Sequence, residues 1–279
     1  MRERGLEPPR DFTPTSTSSW RVCQFRHSRL GKPKRIAGER DMCERKAYHR
    51  PVPADQVLIN EVFHSVQGES TWAGLPCVFI RLRGCPLRCH YCDTEYAFRE
   101  GKARSLDDVI EEVTSIGCPL VEVTGGEPLI QPAVHPMMTR LCDLGHTVLV
   151  ETAGAHDISA CDERVIRILD IKTPGSGESD RVYWENIDHL RSRDEVKFVL
   201  VDRADYEWMK DVVQKHGLTD RVGSVLVSPA FHQESGRDIA GCKGLDPAEL
   251  VSWILEDHLP VRMQLQMHKF IWDPKTRGV

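Results

Sequence analysis

Three cysteines, Cys85, Cys89 and Cys92, stand in the stretch GCPLRCHYCDT, and no fourth follows in the loop. Thiolates at this density point to metal or redox chemistry. A closed zinc site or an ordinary iron–sulfur site wants four protein ligands, so the spacing leaves three readings open. Zinc would need His90, or His64 or His268 brought from elsewhere; His90 directly follows Cys89 and would share its tetrahedron only through a strained backbone. A redox pair of Cys89 and Cys92 leaves Cys85 without a task. A [4Fe–4S] cluster on three thiolates leaves one iron without a protein ligand. An open coordination position is what separates a catalytic metal site from a structural one.

Other stretches carry residues suited to ligands. TGGEP (124–128) places two residues without side chains at a strand end, where backbone can approach a ligand closely. Arg81, near the end of the apolar run CVFIRL, offers a bidentate fork for a carboxylate. The turn SVQGEST (65–71) presents backbone groups and the Gln67 amide, which both donates and accepts.

Cys-x3-Cys-x2-Cys, with Tyr91 just before the third cysteine, resembles the signature of the radical S-adenosylmethionine (SAM) superfamily. Together with SVQGEST, FIRLRGC, CDT, VTGGEP, VETAG and MHKFIW in that order, the chain is similar to the 7-carboxy-7-deazaguanine synthases over roughly residues 57–279. The resemblance implies a partial (β/α) TIM-like barrel of the radical SAM type. It implies conversion of 6-carboxy-5,6,7,8-tetrahydropterin to 7-carboxy-7-deazaguanine with loss of ammonia, on the way to queuosine and other 7-deazapurines. Cys85, Cys89 and Cys92 would hold the [4Fe–4S] cluster, and Thr94 is the position of Mg²⁺. SAM would meet Tyr91, Cys92, Asp93, Gly126, Asp170, Ile171, Lys172 and Ser228. The pterin would meet Val66, Gln67, Gly68, Arg81, Thr124, Glu151 and His268. Flavodoxin or ferredoxin would supply the electron, and the enzyme would be a homodimer. Two departures stand out: Asp170-Ile171-Lys172 replaces a common Ser-Pro-Lys, and the chain runs on past Pro274 where some relatives end at a proline. A glycyl-radical-enzyme activase shares the cysteine loop, but SVQGES with the Arg81 strand is not expected there. A zinc-stabilised binding module is the reading from another class.

The elements that must position these residues are legible as an alternation. CVFIRL leads into the cysteine loop, and SLDDVIEEVTSIG (105–117) is a helix with Ser105 as cap and Leu106, Val109, Ile110 and Val113 on one face. Strands follow at LVEVT, TVLVET, RILDIK, EVKFVLV, SVLVS and VRMQLQM. Helices follow at VHPMMTRLCDLG, around 183–192, at ADYEWMKDVVQKHG and at DPAELVSWILEDH. Six or so such units predict a parallel sheet with helices outside and a site at the C-terminal strand ends.

The 279 residues suffice for one α/β domain, with 40% hydrophobic and 28% charged residues. No run approaches the ~20 apolar residues of a membrane span. Residues 1–50 hold 13 Lys and Arg against 6 Asp and Glu, while the remaining 229 hold 24 against 36. That acidic bulk argues against a nucleic-acid-coating protein. The ten cysteines lack a secretory segment before them, so those outside the loop read as buried thiols in a reducing cytoplasm. Residues 1–55, rich in Pro, Ser, Thr and basic residues, read as a disordered extension or a start assigned too early, with Met42 as the alternative. Glu3, Glu7 and Asp11 weaken a mitochondrial presequence. The catalytic domain is then 56–279.

Overall fold

Strand and helix alternate here because the apolar period switches between two and 3.6, and the resulting faces are buried against each other. The computed structural model describes residues 53–279. The expected extension lies outside the described residues except for residues 53–55, and so does Met42. One sheet has the order β3-β1-β2-β4-β5-β6-β7-β8-β9. Its strands are β1 (Gln56–Val66), β2 (Pro76–Leu82), β3 (Lys102–Ser105), β4 (Leu120–Gly125), β5 (Thr147–Thr152), β6 (Ile166–Asp170), β7 (Glu195–Leu200), β8 (Ser224–Pro229) and β9 (Arg262–Met263). β1 is antiparallel to β2 and β3. Every pairing from β2 to β9 is parallel. β3 and β9 are both edges, so the sheet is open, a partial barrel.

The helices begin and end where local chemistry dictates. For α1 (Leu106–Ile116), the Ser105 hydroxyl accepts from the Asp108 amide, and Gly117 closes the last turn at φ +75°. α2 spans Val134–Asp143. Asp202 caps α3 (Arg203–His216), and Gly217 ends it at φ +58°. After the one-turn α4 (Leu218–Arg221), Asp246 caps α5 (Pro247–Glu256) with Pro247 in its first turn. The apolar stripes of α1, α2, α3 and α5 are buried in one cluster with Ile80, Val123, Val150, Leu169, Phe198 and Val227 from alternate strand positions.

That alternation leaves the opposite sheet face for the site. Register pairs Phe79 with Glu122, Arg81 with Thr124, Glu151 with Ile168, and Asp170 with Lys197. Polar side chains therefore gather on one face near the C-terminal strand ends while apolar ones pack under the helices.

Two details differ from the sequence expectation. The segment around 183–192 is a 3₁₀ stretch, Trp184–His189, because buried Asn186 binds the Ile158 amide and the Gly154 and His156 carbonyls instead of continuing an apolar stripe. The strand expected over VRMQLQM pairs only at Arg262–Met263, since Gln264 turns its side chain to the Ser70 amide and the Ser228 hydroxyl. The connection from β5 to β6 carries no helix. Among the described residues no helix is long and apolar enough to cross a membrane.

Candidate active site

A cavity of about 1060 Å³ opens on the polar sheet face, and Cys85, Cys89 and Cys92 line it. The cysteine loop is held from several sides. The Gly84 amide donates to Ala97 O (2.9 Å), and the His90 amide donates to Ser176 O (2.9 Å). The Arg88 amide donates to Glu178 Oε1 (2.6 Å), while its guanidinium donates to the Cys85 and Leu87 carbonyls and lies over the Phe98 ring. His90 rests its Nδ1 against Gly175 O at 3.2 Å and does not line the cavity, so it completes no tetrahedron with the thiols. The eight described cysteines are free thiols.

Burial pushes all three thiols up, Cys89 to about 11, Cys92 to about 12 and Cys85 higher. Thiols kept protonated in this way make poor attacking nucleophiles, which disfavours a thiol–disulfide pair. A coordinated metal deprotonates a thiol outright.

The TGGEP turn backs the loop. Gly126 donates its amide to Leu82 O at 3.2 Å, and a Cβ placed there would lie 2.0 Å from Gly84 O and 3.0 Å from the Cys85 Cβ. Gly126→Ala is therefore expected to push the cysteine loop outward and cost about 1–3 kcal/mol. Denaturant unfolding and iron bound per chain after reconstitution, both lowered, check it. Glu127 is fully buried; its carboxylate accepts from the Leu129 amide (3.0 Å), the Thr152 hydroxyl (2.8 Å) and the Ala153 amide (2.7 Å). One side chain thus ties the ends of β4 and β5 beneath the loop.

Across the cavity floor runs a charge network centred on Lys197, whose side chain is 4% exposed. Its ammonium meets Glu69 at 2.8 Å, Asp170 at 3.4 Å, and Glu151. Burial would lower the Lys197 ammonium, but Glu151, Glu69 and Asp170 hold it well above the ordinary lysine range. Burial raises Glu69, yet Lys197 and the Gln266 amide outweigh it and bring the carboxyl down to about 2. Glu122 is raised by burial and by the nearby Glu151 and Glu69 charges, and the Gln67 amide donates to it. Asp170 also binds Lys172 at 2.8 Å through Oδ2, which leaves its buried Oδ1 without a partner.

The mouth is lined by the remaining polar groups. Arg81 donates to Glu61 Oε1 at 2.7 Å, the Tyr96 hydroxyl donates to the same oxygen at 2.9 Å, and Arg81 lies 5.5 Å from the Phe63 ring centre. Val66, Gln67, Gly68 and Thr124 sit beside it. His268 packs so closely on Gly68 that a Cβ there would lie 2.3 Å from its Nδ1, and burial lowers its imidazole. Asp93 accepts from the Thr94 hydroxyl (2.8 Å) and pairs with Lys269 (2.6 Å); burial would raise its carboxyl, but Lys269 holds it well below the usual range.

The radical SAM superfamily model matches residues 79–175, which span the cysteine loop, TGGEP and Asp170-Ile171-Lys172. A 7-carboxy-7-deazaguanine synthase from Koribacter versatilis is 46% identical over 225 residues, covering 79% of this chain and 99% of the relative. One from Chlorobaculum tepidum is 42% identical over 224 residues, covering 79% and 96%. The chain belongs to the 7-carboxy-7-deazaguanine synthase family. In fold, this family member resembles the crystal structure of QueE from Escherichia coli, with a TM-score of 0.61 at 22% identity, 84% of this chain and 100% of that chain covered.

Membership in the radical SAM family implies a [4Fe–4S] cluster and SAM, and the residues present fit both. Three thiols line one wall of the cavity; Asp170 Oδ1 and the Tyr91 hydroxyl, both buried and unpartnered, remain for a further ligand beside them. Not every residue expected around SAM faces that space. The Ile171 side chain is fully buried in the apolar core, because it follows Asp170 and so points to the helix side of β6, and its amide donates to Lys197 O. Ser228 is buried, its hydroxyl accepting from Gln264 at 3.0 Å, and does not line the cavity. Asp170 and Lys172 do line it.

The sequence reading missed Lys197, Glu69, Glu122, Glu127 and Lys269. For Glu122 and Lys197 the signal was a charged residue inside an apolar strand, LVEVT and EVKFVLV, which marks a polar face turned inward; Glu69, Glu127 and Lys269 lie outside the strands and carried no such signal.

Proposed function

We propose that this chain is the radical SAM lyase that converts 6-carboxy-5,6,7,8-tetrahydropterin to 7-carboxy-7-deazaguanine and ammonia, supplying queuosine or another 7-deazapurine. The observation that carries the reading is one cavity lined by two unlike sets of groups: three clustered thiols, Cys85 and Cys89 buried and Cys92 half-buried, and Arg81 with an array of amide, hydroxyl and carboxylate groups. Substrate and product differ only by NH₃, so no net oxidation is needed and SAM is returned at each turnover. When bound, the reduced cluster and SAM supply the 5′-deoxyadenosyl radical that takes a hydrogen from the substrate.

The chain's own residues bind, orient and shield. Cys85, Cys89 and Cys92 hold the cluster. Gly126 brings backbone to the methionyl end of SAM, Tyr91, Cys92 and Asp93 flank it, and Asp170 offers its free Oδ1 to the ribose hydroxyls while Lys172 stands beside it. Arg81 receives the pterin carboxylate as a fork, with Glu61 holding its Nε. The backbone of Val66, Gln67 and Gly68, with Thr124, Glu151 and His268, reads the pterin edge. Thr94 would present a hard oxygen, the kind of ligand Mg²⁺ prefers. A reduced flavodoxin or ferredoxin as donor, a homodimer and a cytoplasmic location complete the reading.

The test is anaerobic. Protein reconstituted with iron and sulfide is given reductant, SAM, Mg²⁺ and 6-carboxytetrahydropterin, and 7-carboxy-7-deazaguanine is sought by mass spectrometry. Product supports the proposal. Formation of 5′-deoxyadenosine without deazaguanine overturns the substrate and leaves the superfamily.

A further inference from the structure

After β8 the chain makes a hairpin that the reaction as described does not use. Gln233 and Cys242 exchange backbone hydrogen bonds at 3.0 and 2.8 Å, and Leu245 N donates to Ala230 O at 3.0 Å. Gly241 permits the return, with φ +79° and Gln233 O only 2.6 Å from where a Cβ would lie. Across 231–240 almost every residue is exposed or half-buried, and Ile239 alone is buried. It packs not with the main core but with Cys85, Leu87, Cys89 and Phe98, with Tyr91 and Cys92 at the margin.

The tip beside Ile239 is clamped. Both Asp238 oxygens receive the Arg99 guanidinium, Nη2 to Oδ1 at 2.7 Å, and the Asp238 amide donates to Glu95 Oε1 at 2.5 Å. Glu95 opens, and Arg99 closes, the 3₁₀ turn that directly follows the cysteine loop. The hairpin is thus tied to the same short segment as the three thiols, and its Ile239 side chain packs in one cluster with Cys85 and Cys89.

We propose that the 230–245 hairpin is the cap of the cluster. Ile239 is the plug that keeps water and dioxygen from the thiol-bearing wall, and the Arg99–Asp238 fork with Glu95 sets the plug's position. The inference rests on the reading that Cys85, Cys89 and Cys92 hold a [4Fe–4S] cluster. Solvent exposure is one of the levers on cluster potential. Water favours the more highly charged reduced form, so a drier site holds the potential lower and makes the reduced cluster a stronger donor to SAM. Ile239 and Arg99 are positioning residues in this scheme.

The experiment compares anaerobically reconstituted wild type, Ile239→Ser, Ile239→Leu and Arg99→Lys. Iron and sulfide per chain are measured first, then the rate at which the visible absorption bleaches in air, and the midpoint potential by anaerobic titration. For Ile239→Ser, unchanged loading is expected with bleaching on the order of fivefold faster and a potential shifted upward, as greater exposure requires. Ile239→Leu is expected to stay near wild type, and Arg99→Lys to move in the serine direction. Ile239→Ser protein that loads fully and matches wild type in both readouts overturns the cap. Should Ile239→Ser fail to load, Arg99→Lys decides: faster bleaching supports the cap and an unchanged rate overturns it. Wild-type protein that takes up no iron overturns the cluster reading beneath the proposal, an outcome distinct from the others.

Discussion

Replacing Lys197 by methionine is expected to destabilise the chain by about 3–5 kcal/mol, the cost of removing one member of a buried ion pair and leaving Glu69 and Glu151 without a cation. The size follows from the count of partners. Glu69, Glu151 and Asp170, from the β1–β2 turn, β5 and β6, converge on one ammonium that is 4% exposed. Methionine keeps the length of the stem and removes the charge. The pH dependence gives a second readout. In the wild type the Glu69 carboxyl is held at about 2, below its unfolded value near 4.3. Its contribution is therefore complete above about 4.3 and is lost as pH falls through about 2. The Lys197 ammonium is held above its unfolded value near 10.4, so its contribution is complete below that value and is lost only as pH rises through the folded one. Without the lysine, Glu151 has lost its cation and Glu69 keeps only the Gln266 amide, so burial raises both glutamates, and the variant weakens progressively as pH climbs past about 4.3. Denaturant unfolding should show a wild-type–variant gap that is widest near neutral pH and narrows towards pH 3. A gap that stays constant across that range would show that only the packing of the lysine stem matters.

Cys92→Ala is expected to abolish cluster assembly and lower product formation by more than about 100-fold, since loss of even an outer partner of a metal ligand costs 10–100-fold. The fold should survive. Cys92 sits in a loop at the cavity wall, outside the main core that joins sheet and helices. Cys118→Ala is the control: that thiol is buried near the start of β4, with its Sγ donating to the Pro76 and Leu120 carbonyls, far from any role in the cavity. Iron and sulfide per chain, visible absorption, far-ultraviolet circular dichroism and product by mass spectrometry separate the two. The expected pattern is a colourless, folded Cys92→Ala protein and a brown, active Cys118→Ala protein. A Cys92→Ala protein that keeps a full cluster would remove this thiol from the ligand set.

What the sequence by itself determined is what short spacing encodes. The cysteine loop spans eight residues, and its missing fourth ligand is visible without a structure. The Ser105 and Asp246 caps are set within one turn of the helices they start. The strand–helix alternation, and with it the mostly parallel sheet, follows from periods of two and 3.6, while the strand order that leaves β3 and β9 as open edges does not. Tertiary structure decided which side chains share a face and what meets across a distance. Ile171 sits next to Asp170 in the chain and on the other side of the sheet, whereas Lys197 is Asp170's neighbour by strand register. Asn186 turned an expected helix into a 3₁₀ stretch, and Gln264 cut a strand short, each through hydrogen bonds to distant segments. Ile239, unremarked in a polar stretch of sequence, is buried only because the hairpin folds onto the cysteine loop. Local propensity is read from neighbours a few residues apart. The pairing of strands, the burial of a charge and the seating of a loop depend on contacts whose energies appear only when distant segments close on one another.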